Sequence, residues 1–334
     1  MAESGVALRQ LGATPLKIAP VALGCWPMAG MTSLDAAPAD SLATLEACFE
    51  LGINHLDTAF CYGAAGESER LIAQAIRGRR AQVVLATKGG IAWDSARMQV
   101  VDGRPATLAR QCRESLQRLE TSYADLYYLH APDPRTPIAE SAGAVRDLIS
   151  QGLVRYAGLS NATVDELEQF HRVCPLAAYQ PPYNMLQRGI ERDTLPWCRE
   201  HQVGVLVYWP LMKGLLTGKF SRQHVFRPED GRAKYPMFQG DEWQKNQDFL
   251  DELRSLAQDL GKTVAQIVIR WTIDQPGITA ALCGALRPGQ VRDNAGALGW
   301  TLDAAARDRI DRALARRGTA ITRAAVETKQ PVRP

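Results

Sequence analysis

The sequence predicts a single α/β domain folded as a (β/α)8 barrel, the TIM barrel. Three observations lead there. Short β-prone runs recur eight times, amphipathic helical stretches lie between them, and the first strand-to-helix turn lacks the glycine spacing of a Rossmann domain. Strands that alternate with helices pair in parallel. Eight such units point to a closed barrel more than to an open doubly wound sheet. The length of 334 residues suits one large barrel, or alternatively two domains.

The expected strands are residues 18–23, 53–56, 82–86, 125–129, 154–158, 176–179, 203–207 and 278–282. Between them, helical patterns span 39–51, 67–76, 107–119, 138–151, 164–172, 191–201 and 263–273. Thr263-Val264-Ala265-Gln266 reads as a capping box that starts the last of these. A dinucleotide fingerprint needs Gly-x-Gly-x-x-Gly after the first strand. Here the chain has Gly24-Cys25-Trp26-Pro27-Met28-Ala29-Gly30, and the spacing fails. Two segments depart from the repeat. Residues 212–241, with Pro228, Gly231, Pro236 and Gly240, predict a long loop after strand seven, lying over the catalytic face. Residues 318–334 are expected as a mobile C-terminal extension of a barrel domain that ends at 317.

Composition narrows the function. A hydrophobic fraction of 46% and a charged fraction of 22% are those of an ordinary soluble globule. No run approaches the roughly 18 apolar residues of a membrane span, and no secretory signal opens the chain, so the expected address is the cytoplasm. Seven cysteines lie scattered without a Cys-x-x-Cys pair, which argues against a zinc site and a disulfide scaffold. The net charge of +3 is spread out, with Arg77-Gly78-Arg79-Arg80 as its densest run, so nothing points to nucleic acid. His55, His171, His201 and Cys61 have no partner logic and read as core or surface groups.

In a barrel of this kind the chemistry stands where the strands end. Just past the expected strands come Asp57, Lys88, His130, Ser160, Asn161, Gln180 and Tyr208, with Tyr62 on the loop beyond Asp57. Such a polar, ionisable set suits a reaction centre and not a packed core. Lys88 can pair with Asp57 and relieve the cost of burying each charge. An ammonium near Tyr62 would favour its phenolate and ease proton movement. His130 can donate to a substrate oxygen. Together these make an acid–base tyrosine with an electrostatic assistant, suited to protonating a carbonyl oxygen as hydride arrives at carbon.

Over nearly its whole length the sequence resembles the aldo-keto reductase family. The motifs are LGINHLDTAFCYG, GESERLIAQAI, VVLATKGG, SLQRLETSYADLYYLH, GLSNAT, AAYQPPYN, GLLTGKF and CGALRPGQVRDN, in family order and spacing. The resemblance implies a barrel that binds NADPH in extended form and reduces aldehydes or ketones. It implies Tyr62 as proton donor, Asp57 and Lys88 as its tuning pair, and His130 as the substrate-orienting group. It also implies Ser160, Asn161 and Gln180 as partners of the nicotinamide carboxamide, with Tyr208 as the stacking platform. Pro210, Leu211 and the segment from Gly214 to Lys219 look like the pyrophosphate clamp. Gly284, Leu286, Arg287, Gln290 and Asn294 look like the adenosine end, while Gly24, Cys25 and Trp26 border cofactor and substrate. Trp209 stands where relatives commonly have a small residue, Cys283 where proline is common, and Ala285 where a hydroxyl-bearing residue is common.

Arg287 and Gln290 offer a cation and an amide to a 2′-phosphate, which predicts NADPH over NADH. Asp293 is the one acid nearby, read as an adenine contact or a solvated group. The enzyme reading competes with an NADP-binding regulatory subunit of the same fold and with a dehydrogenase that oxidises a sugar or alcohol. The intact set Asp57, Tyr62, Lys88 and His130 favours the enzyme, acting on a small carbonyl compound without nucleic acid, membrane or metal. Neither the particular substrate nor the oligomeric state is written in these motifs.

Overall fold

The computed structural model describes residues 5–30, 37–227 and 230–321. Eight parallel strands close into a barrel: β1 (Val21–Gly24), β2 (His55–Asp57), β3 (Val84–Gly89), β4 (Ala124–Leu129), β5 (Val154–Ser160), β6 (Leu176–Gln180), β7 (Gly204–Tyr208) and β8 (Ile278–Gly284). Neighbours in the ring are neighbours in sequence. β8 closes onto β1 through Leu282 opposite Ala22 and Gly284 opposite Gly24. The helices are α1 (Pro38–Glu50), α2 (Glu67–Ile76), α3 (Pro105–Arg118), α4 (Ile138–Ser150), α5 (Val164–Val173), α6 (Thr194–Glu200), α7 (Gly240–Leu260), α8 (Val264–Asp274), α9 (Pro288–Ala295) and α10 (Ala304–Arg317). None is long and apolar enough to cross a membrane, among the described residues.

Successive side chains on a strand point to opposite faces, and this sorts the core into two. Leu23, Leu56, Leu85, Tyr127, Leu159, Tyr179, Val205 and Ala281 pack in the large cluster shared with the helices. Ala22, Ala86, Leu126, Tyr128, Ala178, Leu206 and Ala280 fill the barrel interior. That interior is rich in alanine, which leaves space for the whole Tyr128 ring. Gly158, opposite Tyr128 on β5, completes the space, because a Cβ there would stand 2.3 Å from Tyr128 Cδ1.

An antiparallel hairpin of Arg9–Gln10 with Lys17–Ile18 plugs the end of the barrel where the strands begin. Leu11 and Ile18 are fully buried against the interior cluster. Gly204 permits this, since a Cβ on it would meet Leu11 Cδ1 at 2.5 Å. Arg9 fastens the plug by donating to the carbonyls of Ile273 and Ile278.

The strands differ from the sequence expectation in one consistent way. Asp57, Lys88, Ser160, Gln180 and Tyr208 are ladder residues inside β2, β3, β5, β6 and β7, not residues beyond them. A reading based on apolar runs stops at the first polar side chain, while the backbone ladder continues beneath it. Ile18 belongs to the hairpin instead of the first strand, with Pro20, which lacks an N–H, intervening. The helix expected from 191 starts at Thr194, because Pro196 is tolerated only in a first turn and Asp193 caps the Thr194 N–H. The 21-residue α7 was not anticipated at all, nor was a second hairpin, Ile91–Trp93 with Gln99–Val101, between β3 and α3.

The C-terminal segment expected to extend from 318 begins among the described residues. Arg317 is buried and pairs with Glu242 of α7, and the Ile321 N–H donates to the same carboxylate. Residues 322–334 lie outside the described residues.

Candidate active site

One further step of the alternation builds the site. Inward-facing Ala22, Ala86, Tyr128, Gly158, Ala178 and Leu206 are followed two residues later by Gly24, Lys88, His130, Ser160, Gln180 and Tyr208. Register places Asp57 opposite Gly24, Gly24 opposite Gly284, and Gln180 opposite Ser160. All eight strands thus contribute one residue to the end where they finish, staggered along the ladder, with Asp57 in register with Ala86 and Tyr208 with Leu282.

At its centre lies a buried ion pair. Lys88 Nζ donates to Asp57 Oδ1 at 2.5 Å and to the Thr58 carbonyl at 2.8 Å. Gln180 Nε2 donates to Asp57 Oδ2 at 2.8 Å. Asp57, Lys88 and Gln180 are each at most 3% exposed, a setting in which either charge alone would cost several kcal/mol. Gln180 is therefore tied to the ion pair, a role outside the carboxamide contact that the family resemblance implies.

The chain after β2 stays attached to β3, with the Thr58 and Phe60 N–H groups donating to the Ala86 and Lys88 carbonyls. This carries Tyr62 over the pair, where Lys88 Nζ lies 5.0 Å from the centre of its ring. Trp26 meets Tyr62 edge-on at 5.0 Å and His130 does so at 6.0 Å. Burial, reinforced by the Asp57 charge, pushes the Tyr62 hydroxyl well above its usual value. This corrects the expectation that Lys88 would favour the phenolate: the ammonium is engaged by Asp57, and exclusion of water decides. Burial and the Lys88 charge together hold His130 well below the usual histidine range, so its imidazole is neutral.

Three residues here escaped the sequence reading. Cys61 had been set aside as lacking a partner, yet its Sγ lies 3.6 Å from His130 Nδ1. Trp93, from the unanticipated second hairpin, donates its indole N–H to the Cys61 carbonyl at 2.7 Å. Tyr128, fully buried, lies with its ring centre 5.8 Å from Lys88 Nζ. Tyr128 was legible, since it shares the strand face of His130 two residues on. Cys61 and Trp93 carried no local signal, because their partners are distant in sequence.

Beside the ion pair, Asn161 takes a left-handed φ of 60°. Its Nδ2 donates to the His130 carbonyl at 2.9 Å and to Ser160 Oγ at 3.0 Å, and its Oδ1 accepts from Tyr208 Oη at 2.7 Å. Ser160 donates to the Gln180 carbonyl at 2.7 Å. Tyr208, half-buried, meets Trp209 edge-on. Trp209 itself has φ 58°, a conformation that costs a bulky residue of order 1–3 kcal/mol and needs support. Support comes from Asn184 Nδ2 and the Met212 N–H, both donating to the Trp209 carbonyl. Pro210 is buried, Leu211 accepts from the Gly214 N–H, and Lys213 lies against the Trp209 and Tyr235 rings.

A second group lies at the start of α9. Gln290 Oε1 accepts from the Leu286 and Arg287 N–H groups at 2.6 and 3.2 Å, so it caps the opening turn. Gly284 and Arg287 are exposed, and Asn294 is buried. Asp293, read as an adenine contact or a solvated group, is half-buried and engaged within the fold. It accepts from Thr263 Oγ1 and Gln266 Nε2 and lies 3.7 Å from Lys219 Nζ, bracing α9 against α8. Among the described residues, no cluster of three His, Cys, Asp or Glu side chains could hold a metal ion.

Comparison with known proteins agrees with this architecture. The pattern of the Aldo/keto reductase family matches residues 20–315. Among curated proteins, Aldo-keto reductase YhdN of Bacillus subtilis is 36% identical over 87% of this chain and 88% of its own. The NADH-specific methylglyoxal reductase of Escherichia coli is 33% identical over 87% of this chain and 93% of its own. Among solved structures, the glycerol dehydrogenase AKR11B4 of Gluconobacter oxydans superimposes with a TM-score of 0.86 at 34% identity, covering 98% of this chain and all of that one. An aldo/keto reductase of Klebsiella pneumoniae, solved with NADP and acetate, gives 0.71 at 29% identity over 91% and 94%. With the family pattern spanning the whole barrel, this chain belongs to the aldo-keto reductases and is an oxidoreductase of carbonyl or alcohol groups.

Proposed function

We propose that this enzyme reduces an aldehyde or ketone to the alcohol with NADPH, and that Tyr62 gives the proton. The observation that carries the reading is the grouping of a protonated Tyr62 and a neutral His130 beside the buried Asp57–Lys88 pair. When bound, the nicotinamide cofactor supplies hydride to the carbonyl carbon. The carbonyl oxygen gains charge at that moment and accepts a hydrogen bond from His130 and the proton from Tyr62. The phenolate left behind is costly in this buried site, so it takes a proton back readily.

The chemistry of the donor set supports a fit for the cofactor. Ser160, Asn161 and Gln180 bring a hydroxyl and two amides together on adjacent strand ends, next to the half-buried ring of Tyr208. Pro210, Leu211 and the turn from Gly214 to Lys219 would line the phosphates. Gly24, Cys25 and Trp26 would border the ring from β1. At the far end, the exposed Arg287 beside Gly284, Leu286, Gln290 and Asn294 offers a cation at a helix start, a setting that favours phosphate.

The glycerol dehydrogenase likeness favours a second reading, oxidation of an alcohol by the same residues. Oxidation needs the Tyr62 phenolate and reduction needs the phenol, and burial favours the phenol. NADPH consumption against aldehydes, diketones, quinones and sugars, with NADP+ reduction by polyols alongside, separates the two. Faster oxidation than reduction at neutral pH would overturn the assigned direction.

A further inference from the structure

We infer that Cys61 is a positioning residue: its thiol donates to His130 Nδ1 and so holds the imidazole as the Nε2–H tautomer. This rests on the reading that His130 donates to a carbonyl oxygen, and it supplies the reason why the correct nitrogen carries the proton.

The geometry comes first. Cys61 Sγ and His130 Nδ1 are 3.6 Å apart, within the reach of a sulfur hydrogen bond, and this is the one side-chain hydrogen bond of Cys61 among the described residues. Cys61 packs otherwise in a small cluster with Ala59, Ile91 and Ala131, flanked by Tyr62, Val101 and Trp93, whose indole N–H is spent on the Cys61 carbonyl. Both partners are fixed. The Cys61 carbonyl is anchored by the Trp93 indole at 2.7 Å, and the His130 backbone is held by its N–H to the Gly89 carbonyl and by Asn161 at its own carbonyl. These supports fix the backbone from which each side chain projects.

Chemistry then sets the direction. Burial pushes the Cys61 thiol up to about 12, so it keeps its hydrogen at every working pH. The imidazole is neutral and carries one N–H and one bare nitrogen. A bare imidazole nitrogen is a good acceptor, whereas a thiol sulfur is a weak one. The arrangement S–H to Nδ1 therefore outweighs Nδ1–H to sulfur, and the single ring proton goes to Nε2. The hydrogen bond made by one ring nitrogen decides the state of the other. With Nδ1 turned to Cys61, Nε2 is the nitrogen left for a substrate oxygen. The alternative tautomer would present a lone pair to that oxygen and repel it.

The test pairs Cys61→Val, similar in size but without a donor, with Cys61→Ser, which restores one. ¹⁵N-histidine NMR of the full chain reads the tautomer, and His130→Gln identifies the His130 signals. In wild type and Cys61→Ser, His130 should give one pattern, with a protonated Nε2 and a bare Nδ1. In Cys61→Val that pattern should become a mixture, and kcat/KM for a carbonyl substrate should fall about fivefold, the factor for losing an ordinary hydrogen bond. Cofactor affinity should not change. A pure Nε2–H pattern in Cys61→Val overturns the inference, whatever happens to melting temperature. A mixed pattern with unchanged kcat/KM leaves the thiol–imidazole bond standing and refutes the carbonyl-donor role of His130 instead.

Discussion

Lys88 reaches back to Asp57 across one step of the ladder. Asp57 pairs in register with Ala86, so Lys88 stands one inward position further along β3, and its Nζ returns to within 2.5 Å of Asp57 Oδ1. Two charges enclosed this completely depend on each other. Lys88→Met should destabilise the fold by about 3–5 kcal/mol, the scale for stranding a buried charge, and should remove nearly all turnover. Asp57→Leu added to Lys88→Met should recover much of the stability and none of the activity. Urea unfolding alongside steady-state rates decides it, and a double variant no more stable than the single one would contradict the pairing.

Tyr62→Phe keeps the ring contacts with Trp26 and His130 and removes only the hydroxyl. Turnover should fall by about two to four powers of ten, the usual range for loss of a general acid, with cofactor affinity nearly unchanged. Turnover close to wild type would remove Tyr62 from the mechanism.

His130 also gives the stability a pH signature. Its folded pKa lies below the ordinary 6.5, so the unfolded chain takes up a proton that the folded one refuses. The stability from this group is complete above that value and declines as the pH falls below it. His55, held low by burial, acts in the same sense. Between pH 7 and 5, His130→Gln should flatten the loss of stability by up to about 1.4 kcal/mol per pH unit, the limit for one proton. Parallel curves for the two proteins would contradict the burial of a neutral His130.

Arg287 tests cofactor choice. NADPH should bind more tightly than NADH, and Arg287→Ala should weaken NADPH by about tenfold or more while leaving NADH nearly unaffected. The 33% identity to an NADH-specific reductase makes the measurement pointed. Fluorescence titration that finds equal affinities, unmoved by the substitution, would overturn the preference.

Gly158 tests the interior. Gly158→Ala places a methyl 2.3 Å from the Tyr128 ring and should destabilise by about 1–3 kcal/mol or more through overpacking. Tyr128→Leu in the same chain should relieve most of that loss, which thermal unfolding of the two variants would show.

Much of this molecule was legible because a barrel strand has a simple inner and outer face. Ala86 and Lys88, or Ala178 and Gln180, already carry the rule that one inward layer is core and the next is chemistry. What failed had a common cause in partners remote from the residue being read. Asp293 read as an adenine contact or a solvated group because its partners, Thr263 and Gln266, lie at the start of another helix. Tyr62 was expected to lean toward phenolate because its nearness to Lys88 follows from neighbouring strand ends, while its loss of water does not. Helix α7 was partly legible, since Trp243, Asn246, Leu250, Leu253 and Ala257 recur at helical spacing, but only its first residues, Gly240 and Asp241, fall in the predicted loop and the rest carried no assignment.

The closure of β8 onto β1 has a cost in time. Val21–Gly24 leaves the ribosome about 250 residues before the strand that covers its second edge, Ile278–Gly284. At about 5–20 residues per second, that edge stays unpaired for on the order of tens of seconds during synthesis. The hairpin plug waits as well, since Arg9 finds carbonyl partners on Ile273, Ile278 and Thr279. An exposed apolar edge held open that long is a template for association with other chains.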